Sequence, residues 1–252
     1  MSSVLRQRPL AWLVSGQAFP PVTRARGQDT DAPGLLCAGA DLGVDTLLRA
    51  YRHGIFPWYG RGQPILWWSP DPRMVLDVAQ FRLHPSLLKT LKKFSRLPTC
   101  QIRVDTAFAE VMTACANSPR QGQFDTWILP EMIEAYIALH RAGYAHSVET
   151  WIDGQLAGGL YCVGIGRAVF GESMFHHVTD GSKIALAALI CLCRQCHVLR
   201  VDCQQNTRHL QSMGACEVSR ASFVGQLPGL VQQTPPVWQF GPEYWGHLWR
   251  VD

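Results

Sequence analysis

Two carboxylates stand inside apolar, strand-like runs: Glu172 in Phe170-Gly171-Glu172-Ser173-Met174-Phe175 and Asp202 in Val201-Asp202-Cys203-Gln204. Burial makes a lone carboxylate expensive, so each must be paired, hydrogen-bonded or protonated, and an acid kept at such a position is a candidate for proton chemistry. A structural ion pair with Lys183 or Arg200 accounts for them equally well at this point. On a strand, Asp202 and Gln204 are two residues apart and share a face. Cys193-Arg194-Gln195-Cys196-His197 spells the C-x-x-C-H of covalent haem attachment. Here it closes an apolar helical run in a chain without an export signal, and no methionine is placed as a second axial ligand. Adding Cys191 gives a zinc-like set without a second ligand pair at finger spacing, so buried thiols are the better reading. Lys89, Lys92, Lys93 and Arg96 recur at helical spacing, which lets one face meet phosphates without reading sequence; a solvated helix face explains them as well.

The elements that must position these residues follow from periodicity and breakers. Asp45 to His53 is predicted as a short helix leading into a turn at Gly54, and Phe56 to Pro72 as an irregular aromatic wall of Trp58, Tyr59, Trp67 and Trp68 among prolines. Helices are expected over Ser86 to Phe94, Thr106 to Ala116 and Pro130 to Ala142, with Pro130 suited to a first turn. Ala145 to Ile152 and Leu156 to Ile165 flank Asp153-Gly154, a strong hairpin signal, and a further strand begins at Arg167 to Phe170. Ser182 to Cys196 reads as a long apolar helix, Leu199 to Cys203 as a short buried strand, and Arg208 to Met213 as a last helix. That order argues for an α+β catalytic domain behind a smaller N-terminal α/β domain, divided as 1–97 and 98–252.

Bulk properties narrow the class. The chain has 252 residues, 47% hydrophobic and 17% charged, which supports one large or two small cored domains and excludes a disordered or fibrous chain. A net charge of +4 permits a polyanionic partner without demanding one. No stretch is long and apolar enough to span a bilayer, so no membrane partner is expected. The nine cysteines are odd in number and lie in apolar segments, which suits reduced thiols in the cytoplasm.

Several blocks together resemble one family. Gly34-Leu35-Leu36 with Asp41-Leu42, Tyr51-Arg52-His53-Gly54-Ile55-Phe56-Pro57-Trp58, and Pro64-Ile65-Leu66-Trp67-Trp68-Ser69-Pro70-Asp71-Pro72-Arg73 are followed in order by Thr126-Trp127-Ile128, Gly143 to Glu149, Gly158 to Tyr161, Gly171 to Phe175, Ser182-Lys183 and Asp202-Cys203-Gln204. From about Phe19 to Leu227 the chain is similar to the bacterial leucyl/phenylalanyl-tRNA–protein transferases. The resemblance implies a C-terminal domain of the acetyltransferase-like (GNAT) fold whose donor has changed from a thioester to an aminoacyl-tRNA ester. In agreement, no clean Arg/Gln-x-x-Gly-x-Gly/Ala loop for the coenzyme A pyrophosphate is present. The implied activity moves leucine or phenylalanine, less readily methionine, from tRNA onto proteins beginning with arginine or lysine, creating a degradation signal. No cofactor and no metal are implied, because an ester is already activated.

By the same resemblance Asp202 hydrogen-bonds Gln204 so that the amide oxygen faces the attacking amine, and Glu172 supplies negative charge for the cationic acceptor. Leu160, Met174, Leu186 and Leu189 are implied as an apolar pocket, with core packing as the plain alternative. Tyr51, Trp58 and Trp127 resemble aromatics that hold the terminal adenosine. The chain departs from the pattern at Ala40, where a second glycine is usual, at Asp125, and at His176-His177, where Ser-Arg is commoner. Two rival functions stay in view: an acetyl-coenzyme A dependent N-acetyltransferase, told apart by coenzyme A binding, and a non-catalytic tRNA-binding module, told apart by binding without transfer.

Overall fold

The computed structural model describes residues 9–118 and 128–249. Along the chain run β1 (Ala11–Leu13), β2 (Leu35–Gly39), α1 (Val44–Arg52), β3 (Phe56–Pro57), β4 (Leu66–Trp68), β5 (Arg73–Asp77), α2 (Pro85–Phe94), β6 (Cys100–Val104), α3 (Phe108–Asn117) and α4 (Pro130–Arg141). There follow β7 (Ala145–Ile152), β8 (Gln155–Ile165), β9 (Ala168–His176), α5 (Gly181–Gln195), β10 (Arg200–Gln204), α6 (Arg208–Ser212), β11 (Cys216–Val218), α7 (Arg220–Leu230) and α8 (Gly246–Trp249). A four-stranded sheet has the order β1-β2-β4-β3, and a seven-stranded sheet the order β11-β5-β10-β9-β8-β7-β6. The larger sheet is antiparallel except for the β9–β10 pair. The architecture is α+β, as expected from the order of elements.

The predicted hairpin forms at its signal. Asp153 and Gly154 take φ of 50° and 75°, the left-handed pair that a two-residue hairpin turn needs. Along β8 the side chains alternate between two cores. Leu160 and Cys162 face α5 and α2, whereas Tyr161 and Val163 face α3 and α4. The second of these cores is continuous with the small sheet through Leu47, Tyr51 and Trp67. Pro130 occupies the first turn of α4, and Gly143 with φ of 83° ends it, so both helix boundaries are set by residues that suit them.

The seven-stranded sheet takes in β5, which lies upstream of the expected division at residue 97. Its Met74 and Leu76 belong to the same core as α5, because pairing β5 between β10 and β11 buries them there. Phe56 to Pro72, expected to be irregular, contributes β3 and β4, with Trp67 wholly buried. Helix α5 lies close against the sheet at its first turn. A methyl group added at Gly158 would meet the Gly181 carbonyl carbon at 2.5 Å, and Thr150 donates its hydroxyl to the Gly181 carbonyl oxygen. After α7 the chain returns to the domain: Trp238 stacks on His146 at 4.0 Å between centroids, and Trp245 packs edge-on to Phe94.

Among the described residues no helix is long and apolar enough to cross a membrane. Cys193 is buried within α5, and no three His, Cys, Asp or Glu side chains of the described residues gather as a metal set. Of the C-x-x-C-H run only Cys193 is fixed in the core; Cys196 is half-buried and His197 exposed in the turn that follows α5, so the two thiols do not share an accessible loop.

Candidate active site

The chemistry-bearing residues converge where the parallel strands part. β9 and β10 pair only at Val169 with Val201 and at Phe170 with Asp202. Just beyond, each strand carries an irregularity. Tyr161 opposes Ser173 and Cys162 opposes Gly171, which leaves Glu172 as the extra residue of a bulge. Asp202 opposes Val75 and Gln204 opposes Met74, which leaves Cys203 extra in the same way. Such bulges break the side-chain alternation of a strand and re-aim a residue, here turning Glu172 and Gln204 toward one another. Gln204 holds φ of 62°, an uncommon conformation for a residue with a side chain.

Three side chains donate to Glu172. The Tyr51 hydroxyl from α1 reaches Oε1 at 2.7 Å, Gln204 Nε2 reaches Oε1 at 2.8 Å, and the Tyr136 hydroxyl from α4 reaches Oε2 at 3.3 Å. The two tyrosine hydroxyls also lie against each other, and with one proton apiece they share two protons over these three contacts while Glu172 is ionised. Burial pushes the Glu172 carboxyl up to about 7, the Asp202 charge adds to the rise, and the three donors oppose it. Burial, with the Glu172 charge behind it, pushes both phenols well above their ordinary value, so they remain donors.

Asp202 has a different set of partners from the expected one. Its carboxylate takes a two-point ion pair from Arg73, Nε to Oδ1 at 2.8 Å and Nη2 to Oδ2 at 2.6 Å, with both side chains 1% exposed. Oδ1 also accepts from the Gln204 main-chain N–H at 2.9 Å. The expected hydrogen bond between Asp202 and Gln204 is present but is made by the Gln204 main-chain N–H: the bulge brings that N–H to Asp202 and sends the side-chain amide nitrogen to Glu172. Neither candidate ion-pair partner serves. Lys183 bonds Asp180 at 2.8 Å and Arg200 bonds Asp77 at 2.6 Å.

Beside Glu172 opens a cavity of about 290 Å³ that Leu160, Met174, Leu186 and Leu189 line together with Tyr161, Val201, Cys203 and Leu210. The four apolar residues singled out from the sequence thus meet in one place, drawn from β8, β9 and α5. Thr207 and His209 stand at its α6 side, and burial lowers the His209 pKa. Such a space suits an aliphatic or aromatic side chain of limited size, with a carboxylate and an amide at its edge.

The adenosine-holding aromatics fare differently. Tyr51 is wholly buried with its ring against Phe170 at 5.0 Å, so it has no free face for a base and acts through its hydroxyl instead. Trp58 is half-buried and edge-on to Trp68 at 5.3 Å. Trp127 lies outside the described residues. Lys89, Lys92 and Lys93 lie on the exposed face of α2, Arg96 is exposed just past its end, and the four line a shallow groove there.

Arg73 and Tyr136 went unassigned in the sequence. Arg73 carried a signal, a charged residue opening the apolar run Met74-Val75-Leu76, whereas Tyr136 looks like any core aromatic on the buried stripe of α4.

The arrangement can be set beside known proteins. The model of the leucyl/phenylalanyl-tRNA protein transferase family matches residues 75–228, and that of its N-terminal domain matches residues 40–71. A leucyl/phenylalanyl-tRNA–protein transferase of Polaromonas sp. is 60% identical over 96% of this chain and 94% of its own length. Those of Albidiferax ferrireducens, at 57% over 95% and 94%, and Burkholderia pseudomallei, at 55% over 91% and 90%, are similar to a comparable degree. Identity above one half along nearly the whole length, with both family models falling in order on the two sheets, means that the chain belongs to the leucyl/phenylalanyl-tRNA protein transferase family.

Proposed function

We propose that this protein joins leucine or phenylalanine, and less readily methionine, from aminoacyl-tRNA to the N-terminus of proteins beginning with arginine or lysine, in the cytoplasm, where the product marks its bearer for degradation. The observation that carries the reading is a near-neutral carboxylate, Glu172, fixed by an amide at the edge of an apolar cavity sized for one amino-acid side chain. The donor's side chain fills the space between Leu160, Met174, Leu186 and Leu189, which brings its ester carbonyl to the rim. The acceptor's α-amine then attacks, the new C–N bond forms, and the ester C–O bond breaks toward the terminal ribose, whose hydroxyl takes a proton. Alignment supplies most of the rate, because an ester needs no further activation and hence no metal or cofactor.

An incoming amine must first lose its proton. Glu172 stands in position for that task with a pKa near the working pH, as general-base catalysis favours. Its charge also attracts a cationic acceptor end. Gln204, whose amide nitrogen is committed to Glu172, offers its amide oxygen to the nitrogen that attacks. Asp202 serves through the main chain of Gln204, since Arg73 already compensates its charge. Trp58 is the described aromatic proposed to stack on the terminal adenine, a contact of about 1–3 kcal/mol, and the resemblance gives Trp127 the same part. The basic face of α2 fits the phosphates of the tRNA.

An acetyltransferase-like fold for the larger sheet is part of the proposal. It is supported by the mixed sheet whose one parallel pair parts at the cavity, a place where an acyl donor can enter between strands. The test is a transfer assay with leucyl-tRNA and peptides beginning with Arg, Lys or Ala. Transfer to the first two and not the third is expected, and no transfer to any of them rejects the reading.

A further inference from the structure

We propose that Arg73 is a positioning residue for the transfer reaction: by gripping Asp202 at two points it fixes the main chain at Gln204, and with it the amide that meets Glu172. The inference rests on the reading of the site given above. Arg73 opens β5 and is 1% exposed. Besides the two bonds to Asp202, its Nη1 donates to the Gly54 carbonyl at 3.1 Å, at the end of α1. The guanidinium lies over the rings of Phe56 at 4.8 Å and of Phe223 at 4.7 Å. One planar group is thus held by a strand, a turn and two rings at once.

What it holds is a strained point. Gln204, at φ of 62°, keeps a conformation that persists only where neighbours over-determine it, and Asp202 supplies that constraint through the Gln204 N–H at 2.9 Å. From there Gln204 Nε2 reaches Glu172 at 2.8 Å. A shift of the guanidinium therefore passes through Asp202 and one peptide group to the acid at the cavity. Stability alone does not account for the pair, because an apolar pair of similar volume holds a core at least as well as a buried ion pair. Lysine would preserve the charge without the planar fork, which separates position from charge.

The test compares the wild-type chain with Arg73→Lys in leucyl transfer to an Arg-initiated peptide, well below both melting transitions. The expected result is a fall in kcat of about ten-fold or more, with the KM for leucyl-tRNA held within about two-fold and near-ultraviolet dichroism retained. Wild-type kcat in folded Arg73→Lys overturns the inference, as does a loss confined to KM. Should the lysine variant fail to fold, the charge-balanced Arg73→Met/Asp202→Asn chain replaces it, since the new amide oxygen still accepts the Gln204 N–H; the same loss of kcat supports the inference and wild-type kcat overturns it. Gln204→Ala is assayed alongside. If it too keeps wild-type kcat the reading of the site fails, whereas if it alone is impaired only the role of Arg73 falls.

Discussion

Glu149 and Glu172 both sit among apolar strands of one sheet, and their surroundings divide structure from chemistry. Glu149, wholly buried, accepts from the main-chain N–H groups of Thr106 and Ala107 at 2.9 and 2.8 Å, from Ser147 Oγ at 2.7 Å and from Trp151 Nε1 at 2.9 Å, besides the Thr106 hydroxyl. Its acceptor capacity is filled and it fastens the start of α3 to β7. Glu172 has three side-chain donors, and a cavity opens beside it. A saturated carboxylate holds the fold, while one with capacity to spare beside an open space can exchange a proton.

Removing each acid should separate the two regions. Glu149→Ala leaves several buried donors unpaired and is expected to destabilise the fold by about 4 kcal/mol in denaturant titration, with turnover per folded molecule largely kept. Little change in stability would erase the contrast. Glu172→Gln should do the opposite, lowering kcat about a hundred-fold with the fold intact. In the wild type, kcat/KM should rise through about pH 7 as Glu172 loses its proton, and that limb should flatten in the glutamine variant.

The same shift makes a prediction for stability. Because the folded pKa is raised, from 4.5 to about 7, the folded chain keeps a proton that the unfolded chain has released across that window. Wild-type stability should therefore decline relative to Glu172→Gln as pH rises through the window and run parallel to it above. Parallel melting curves throughout would remove the burial argument for Glu172.

Smaller effects test the cavity and the distant sheet. Met174→Phe narrows the space beside Glu172, so transfer of phenylalanine should fall about ten-fold relative to leucine, read as a ratio of kcat/KM. Ala40, just past β2, takes φ of 59°. Ala40→Gly should relieve that strain and raise stability by about 0.5–1 kcal/mol in thermal melts, without altering transfer.

Local signals in the sequence carried over best. Asp153-Gly154 marked the β7–β8 turn, Pro130 the start of α4, and the apolar run after Ser182 the length of α5. Strands β5, β6 and β11 were not visible, because each is only three to five residues long, β6 and β11 are partly polar, and all three are held by the neighbours that pair with them. At the site, Glu172, Gln204 and the four apolar residues stood out by type and by resemblance. The partner of Asp202 did not, because Arg73 lies 129 positions away in the chain and only the sheet brings them together. Nor do bulges announce themselves: the expectation that Asp202 and Gln204 share a face on a regular strand could not anticipate the extra residue between them.

The close seat of α5 on β8 has a bearing on donor choice. Because neither Gly158 nor Gly181 carries a methyl group, the helix starts one atom's thickness nearer the strand than two alanines would permit. Leu186 and Leu189 hang from that helix over the hole beside Glu172, so its depth is gauged by hydrogens at two remote backbone positions as well as by the side chains that face the guest. An alanine at position 158 would collide with the backbone of Gly181 and Ser182, so the seat of this helix is set by the missing methyl group.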